Sequence, residues 1–201
     1  MRSFRRLLIA ALSAAALSGC VAGQSLQTTY ESPVASAPTA EAKSANSVMI
    51  TVTDDRSFVK SGEKPPYYLG KYRAGFGNPW DVKTENEEPL ASIVARDLAT
   101  DLAALDHEVK TAAPADRHLA VSIKDWNFDG YQNGRLWYDL QISVSDAGGA
   151  ILATSVVQEA AYIKGSFWMG ARGGFEREFP KLYPEIIRKI VRDNAQISAA
   201  L

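Results

Sequence analysis

Apolar and polar residues alternate in several parts of the chain, and this alternation predicts β-strands. Where one face of a strand is buried, apolar residues recur at every second position, which is typical of antiparallel sheets. The turn residues Asp146-Ala147-Gly148-Gly149 predict a hairpin between the last two strands. The predicted strands are Val48–Thr53, a short segment within His107–Thr111, Leu119–Ile123, Leu136–Val144 and Ile151–Ile163.

Two other stretches repeat apolar residues every three to four positions, which predicts amphipathic helices. We expect Asn86 to cap the first helix, which opens with Glu87-Glu88-Pro89. We expect Pro184 in the first turn of the second helix, because a proline deeper inside costs about 3 kcal/mol; residues 175–183 would then form a separate helical turn. The apolar stripes are Leu90, Val94, Leu98, Leu102 and Leu105, and Phe175, Phe179, Leu182, Ile186, Ile187, Ile190 and Ile197.

The predicted element order is β-α-β-β-β-β-α. This order predicts an α+β fold, a mainly antiparallel sheet with two amphipathic helices packed on one face. The segment 57–86 between the first strand and the first helix is long for a structureless loop, and Tyr67–Arg73 is a candidate for a short strand within it.

The first twenty residues have a different pattern. Arg2, Arg5 and Arg6 precede an apolar run from Leu7 to Leu17, and small residues then lead to Cys20, the single cysteine of the chain. The sequence Leu17-Ser18-Gly19-Cys20 resembles the lipobox of bacterial lipoproteins. A run of about eleven apolar residues is shorter than the roughly twenty that a membrane-spanning helix requires. The alternative is an ordinary secretion signal with a stray cysteine.

The lipoprotein resemblance implies a processing site, an anchor and a location. It implies cleavage between Gly19 and Cys20, a diacylglycerol on the Cys20 thiol and a further acyl chain such as palmitate on its amine. Two or more acyl chains anchor a protein stably without spanning the bilayer. In this family an aspartate after the cysteine implies inner-membrane retention, so Val21 implies the outer membrane, on its periplasmic face. No other cofactor is expected.

The chain is therefore predicted to have three parts: a signal peptide at 1–19, a lipid-anchored flexible tether at 20–46 and a single α+β domain at 47–201. Ala, Ser, Thr and Pro dominate the tether, which would span roughly 25 to 30 Å as a random coil. Removal of 1–19 leaves 19 basic and 23 acidic residues, a net charge of −4. This acidic balance argues against a nucleic-acid partner, and one cysteine allows no intramolecular disulfide.

The folded part has a second, shorter resemblance. A lipobox and tether, a first strand leading into Asp54-x-Arg56, the pair Leu69-Gly70, and a helix followed by Glu108-Val109 resemble the YajG-type family of small outer-membrane lipoproteins. The resemblance covers most of 47–200. It implies a location and a fold rather than a reaction.

Few residues indicate catalytic or metal chemistry. The chain contains two histidines and no cluster of acids at ligand spacing, so no metal site is predicted. Asp54 and Arg56 are a candidate charged corner, either a ligand site or a turn in which the arginine pairs with an acid. Asp97 and Asp101 lie four residues apart beside the apolar stripe of the first helix, where two like charges favour an arginine partner.

Aromatic residues cluster around two loops, and they are the candidate partner surface. They suit either a binding platform for a protein, glycan or lipid, or the core of the domain. The candidate surface comprises Tyr67, Tyr68, Tyr72, Trp80, Trp126 and Trp137, with Phe76, Phe128 and Tyr131 in the same loops.

Two functions of different classes follow. The first is a non-enzymatic outer-membrane lipoprotein, a structural or accessory envelope component that binds a protein or envelope molecule through its aromatic loops. The second is an envelope hydrolase of cell-wall or lipid substrates that uses acids such as Asp54 and Asp125. General acid and base catalysis requires two carboxyl groups that converge on a cleft, about 5 to 9.5 Å apart in glycosidases.

Overall fold

The computed structural model describes residues 24–26, 30, 46–73 and 77–201. The predicted signal peptide, Cys20 and most of the predicted tether lie outside the described residues, as does Phe76. In the part of the chain that is described, no helix is both long and apolar enough to cross a membrane.

The described strands form one mixed sheet of eight strands. β6, β7 and β8 are long, β7 is antiparallel to both β6 and β8, and the predicted hairpin joins β7 to β8. The strands are β1 (Gln24–Leu26), β2 (Val48–Asp54), β3 (Tyr68–Arg73), β4 (Pro79–Thr84), β5 (Val109–Lys110), β6 (Arg117–Gly130), β7 (Gly134–Asp146) and β8 (Ile151–Ile163).

The other edge of β6 has parallel neighbours. Its first half pairs with β2, from Val48 opposite Arg117 to Asp54 opposite Ile123, and its end pairs with β3. β2 is also parallel to β5. The antiparallel expectation is therefore correct for β6 to β8, and the sheet is mixed because β2 pairs in parallel. A local apolar pattern does not specify which strand becomes a neighbour.

Helices cover one face of the sheet. α1 (Ser57–Lys60) is a single turn after β2, and α2 (Leu90–Ala103) packs on β2. α3 (Gly170–Ile190) contacts β7 and β8, and the short helix α4 (Ala195–Ala200) follows it near the end of the chain. The apolar residues of β6 and β7 that face these helices are fully buried. The predicted α+β class, with helices packed on a sheet, is confirmed.

Both helix starts differ from the prediction. Asn86 does not cap α2: it has a φ of 57° within the 3-10 turn Glu85–Glu87, and Pro89 precedes the first helical residue. Pro184 lies inside α3 rather than in its first turn, and Pro180 lies there as well. The buried apolar face of α3, which includes Phe175 and Phe179, offsets the backbone hydrogen bonds that the prolines lose.

The long segment after β2 contains two strands. β3 confirms the candidate strand at Tyr67–Arg73, whereas β4 is additional. β1 pairs in parallel with β4, from Gln24 opposite Val82 to Leu26 opposite Thr84. β1 and Tyr30, which fall within the predicted tether, both contact the domain.

Candidate interaction surface

The charged corner is a buried ion pair. The Arg56 side chain is fully buried, and its Nε and Nη2 donate to the two oxygens of Asp54 at 2.8 and 2.6 Å. Nη1 donates to the carbonyls of Tyr68 and Trp126, and Nη2 also donates to that of Pro66. All five guanidinium hydrogens are thus used. Arg56 joins β2, β3 and β6, and it has no free donor for a ligand.

Asp55 occupies the solvent side of the same corner. Its Oδ2 accepts hydrogen bonds from Ser122 Oγ at 2.5 Å and Lys124 Nζ at 3.1 Å. The hydrogen bond from Ser122, followed by that from Lys124, holds the pKa of Asp55 well below its usual range. The Asp55 carboxylate therefore bonds to side chains of β6 on the surface of the sheet.

The acids of the first helix find partners inside the domain. Asp101 is fully buried and accepts from Arg192 Nη2 at 2.8 Å and from Tyr30 Oη at 2.5 Å. Asp97 accepts from Tyr183 Oη at 2.6 Å, and burial raises its pKa. The expected arginine partner is therefore present at Asp101, and Asp97 accepts a hydrogen bond from Arg96 Nε at 3.3 Å besides the one from the tyrosine.

Three of the six predicted surface aromatics belong to the core. Tyr68, Tyr72 and Trp126 are 5, 8 and 0% exposed. Trp126 packs edge-on against Phe179 and Tyr183, with centroids 6.5 and 6.1 Å apart. These residues therefore form no platform at the surface, which corrects the prediction.

The other three predicted aromatics are partly accessible but do not form one patch. Tyr67 and Trp80 are half-buried, and Lys83 Nζ lies 5.4 Å from the Tyr67 ring. Trp137 is 37% exposed on the open face of β7, with the Arg135 guanidinium 6.0 Å from its ring. The exposed aromatic surface lies elsewhere.

That surface is a protrusion at one end of the sheet, which we call the aromatic tip: Tyr131, Phe167, Trp168 and Met169. Phe167 and Trp168 are 91 and 89% exposed, and their rings meet edge to face at 4.9 Å. Tyr131 and Met169 are 46 and 48% exposed. The sequence contains a signal for this surface, because the apolar run Phe167-Trp168-Met169 lies between glycines and belongs to none of the predicted strands or helices.

Backbone hydrogen bonds fix the tip. Ser166 and Gly170 exchange N–H···O bonds of 2.8 and 2.9 Å, and the Ala171 N–H donates to the Tyr131 carbonyl at 2.8 Å. The Gly165 N–H donates to Asn133 Oδ1 at 3.0 Å. A Cβ on Gly165 would lie 1.7 Å from the Gln132 carbonyl oxygen, so only glycine allows this close approach. The two exposed rings therefore project from a closely packed base.

A cavity of about 390 Å³ opens beside the tip. Its basic residues are already paired: Arg73 Nη1 donates to Asp129 at 2.6 Å, and Arg172 Nε donates to Glu176 at 3.1 Å. The cavity is lined by Tyr72, Arg73, Tyr131, Gln132, Trp168, Met169, Gly170 and Arg172. No carboxyl group lines it.

The face of the sheet opposite the helices carries a shallow trough. Its volume is about 490 Å³, and small polar side chains dominate its wall. The trough includes Thr51, Thr53, Ser122, Gln141, Ser143 and Thr154. It contains no charged residue.

The acids considered for hydrolysis do not share a cleft. Asp54 is bound to Arg56, and neither Asp54 nor Asp125 lines the tip cavity or the trough. Asp125 lies opposite Asp139 on the neighbouring strand, and burial raises the pKa of Asp125. Across the described ranges, no three His, Cys, Asp or Glu side chains are grouped to hold a metal ion.

Comparison with known proteins yields only distant structures. No family model matches the chain, and no curated protein matches it. It is similar to the crystal structure of protein XCC0632 from Xanthomonas campestris, of the family DUF330, with a TM-score of 0.48, 10% identity and coverage of 83% of this chain and 91% of that one. A structure described as an uncharacterized protein has a TM-score of 0.49 and 10% identity, with 85 and 98% coverage. With TM-scores below 0.5, neither bears on the function of this chain.

Proposed function

We propose that this protein is a non-enzymatic lipoprotein anchored to the periplasmic face of the outer membrane through acylated Cys20. Its domain acts as a structural or accessory envelope component. The observation that carries the proposal is the N-terminal pattern of basic residues, a short apolar run and Leu17-Ser18-Gly19-Cys20. The resemblance to the YajG-type family belongs to the same proposal.

The aromatic tip supports a contact with another envelope component. Two adjacent aromatic side chains about nine-tenths exposed are unusual on a soluble surface, because each offers a large apolar area to water. Their removal from water on binding is favourable by about 25 cal/mol per Å². The contact surface of the proposal is therefore the tip, in place of the core residues Tyr68, Tyr72 and Trp126.

The anchor is tested by acyl labelling. We expect Cys20→Ser to abolish incorporation of labelled palmitate and to release the protein from the membrane fraction, because the thiol that carries the diacylglycerol is absent. Ser18→Ala, two residues away, is the control and should retain both. A Cys20→Ser protein that still fractionates with the outer membrane would refute the anchor.

The choice of membrane is tested separately. We expect Val21→Asp to move the acylated protein toward the inner membrane on a density gradient, in a species that follows the usual sorting rule. Val21→Ala is the control for a change at this position. An unchanged distribution of the aspartate variant would remove the reason for choosing the outer membrane.

An envelope hydrolase is the second candidate, and it is favoured by the position of Asp125 opposite Asp139 in the sheet, where burial and then the charge of Asp139 raise the pKa of Asp125. If they form an acid pair, Asp125→Asn and Asp139→Asn should each abolish release of products from purified peptidoglycan or phospholipid. Asp116→Asn, at the other end of β6, is the control. If the three variants are as active as the native protein, Asp125 and Asp139 are not the catalytic acids. The same conclusion follows if the native protein itself releases no products.

A further inference from the structure

The start of the mature chain is attached to a particular edge of the domain. Gln24 pairs with Val82, and β1 runs parallel to β4. Six residues after Gln24, the Tyr30 hydroxyl donates to buried Asp101 at 2.5 Å. The chain therefore leaves the domain at β1, and not at residue 46 where the predicted tether ends.

The direction of β1 relates its start to the aromatic tip. Because β1 is parallel to β4, its Gln24 end lies toward the Pro79 end of β4. At that end Pro79 of β4 pairs with Arg73 of β3. The preceding residue of β3, Tyr72, pairs with Gly130 of β6, and Tyr131 of the tip comes directly after Gly130. Cys20 precedes Gln24 by four residues, a reach of at most about 14 Å.

The chemistry of this end suits a phospholipid surface. Trp and Tyr prefer the membrane interface, because the apolar ring contacts the acyl chains while the polar N–H or O–H group contacts water and headgroups. Arg135 and Lys164 belong to the segments that form this end, as do Arg73 and Arg172, which pair with Asp129 and Glu176. Basic residues next to exposed aromatics attract anionic headgroups.

We propose that the aromatic tip inserts into the membrane that holds Cys20, so that the lipid surface itself is the envelope component this site contacts. The inference rests on the proposed lipid anchor. With acylated Cys20 at most about 14 Å from Gln24, the tip meets the bilayer at high effective concentration. Anchor and tip then hold the domain in one orientation.

The test measures quenching of tryptophan fluorescence by brominated phospholipids. The acylated mature chain is reconstituted into vesicles of phosphatidylethanolamine and phosphatidylglycerol. Trp168→Phe keeps an aromatic ring but removes the fluorophore, and Trp137→Phe, on the open face of β7, is the matched control. We expect Trp168→Phe to lose about half or more of the quenching and Trp137→Phe to retain it, because an interfacial tryptophan lies close to the bromine atoms.

Other outcomes separate the two proposals. Mass spectrometry that finds no acyl chain on Cys20 refutes the anchor. An acylated protein whose quenching is the same in Trp168→Phe overturns insertion of the tip and leaves the anchor standing. A photocrosslinking residue in place of Phe167 that captures a protein rather than phospholipid in cells also overturns it.

Discussion

At the scale of single residues, the buried guanidinium of Arg56 determines how three strands meet. Its hydrogen bonds fix the end of β2 against the start of β3 and the middle of β6. A buried charge is tolerated only when its donors are used, and removal of one partner leaves the other unpaired. The Asp54 side chain is only 9% exposed, so solvent has little access to replace the arginine.

We therefore predict that Arg56→Met lowers the free energy of unfolding by about 3 to 5 kcal/mol, because Asp54 and three carbonyls lose their donors. Urea denaturation measures the change. Arg172→Met is the control: this arginine is 44% exposed and pairs with Glu176 on the surface of α3, so the loss should stay below about 1 kcal/mol. Equal losses would contradict a special role for Arg56.

Asp97 and Asp116 should respond to pH in opposite directions. Burial raises the pKa of Asp97, so the folded state binds its proton more tightly and stability falls as pH rises from about 4 through that raised pKa. Hydrogen bonds from Ser47 lower the pKa of Asp116, so its stabilisation is present above about pH 4 and is lost as pH falls through the lowered pKa.

The prediction compares two Asp-to-Asn variants by urea denaturation across the acid range. Relative to the native protein, Asp97→Asn should become more stable as pH rises from about 4 to 7, because it avoids a buried charge. Asp116→Asn should become less stable relative to the native protein at a lower pH, as pH rises from the lowered pKa of Asp116 to about 4. Parallel pH profiles for the two variants would contradict both assignments.

At the scale of elements, a single bulge decides which aromatics are buried. Strict alternation from Ile123 would turn Asp125 inward and Trp126 outward. The register shifts between Ile123 and Asp125, so Lys124 is the extra residue and Trp126 and Phe128 face the helices. The alternation predicted only Leu119–Ile123 of this strand, whereas β6 runs from Arg117 to Gly130. The apolar positions change phase at the bulge, so the residues after it did not continue the pattern of one strand.

Gly70 is a point where β3 lies too close to β6 for any side chain. Its φ is +144°, and an added Cβ would lie 2.2 Å from the carbonyl oxygen of Phe128. We predict that Gly70→Ala destabilises the domain by about 3 kcal/mol or more, measured by thermal and urea unfolding. Gly62→Ala, with a φ of +76° and open space around it, is the control and should cost about 1 kcal/mol. A similar loss at both positions would contradict the close approach.

At the scale of the whole molecule, the predicted elements gave the fold class but not the connections between distant segments. The α+β class followed from two helical and several strand patterns. The parallel pairing of β2 and the docking of β1 and Tyr30 did not, because both depend on partners far along the chain. The aromatic tip was missed for a related reason, since exposure depends on which surfaces the fold covers.

The position of the docked segment predicts the effect of a longer linker. Twelve Gly and Ser residues inserted between Val21 and Gln24 should reduce lipid quenching of Trp168, because they lengthen the connection between anchor and tip. The same insertion after residue 35 follows the docked residues, so we expect the quenching to persist. Brominated-lipid quenching in reconstituted vesicles measures both. Equal quenching in the two insertion variants would contradict orientation through β1.

The parallel pairing of β2 also has a consequence for the time at which the protein can fold. β2 pairs with β5 and β6, so the residues that complete it follow it by about 60 to 70 positions. Sheets built from such distant contacts fold in milliseconds to seconds, because a long loop must close before the strands bind. A chain that emerges with its N-terminus first keeps β2 open until β6 has followed. The strand order thus delays folding until the later strands have emerged, and such a delay is compatible with the export that the proposed lipid anchor requires.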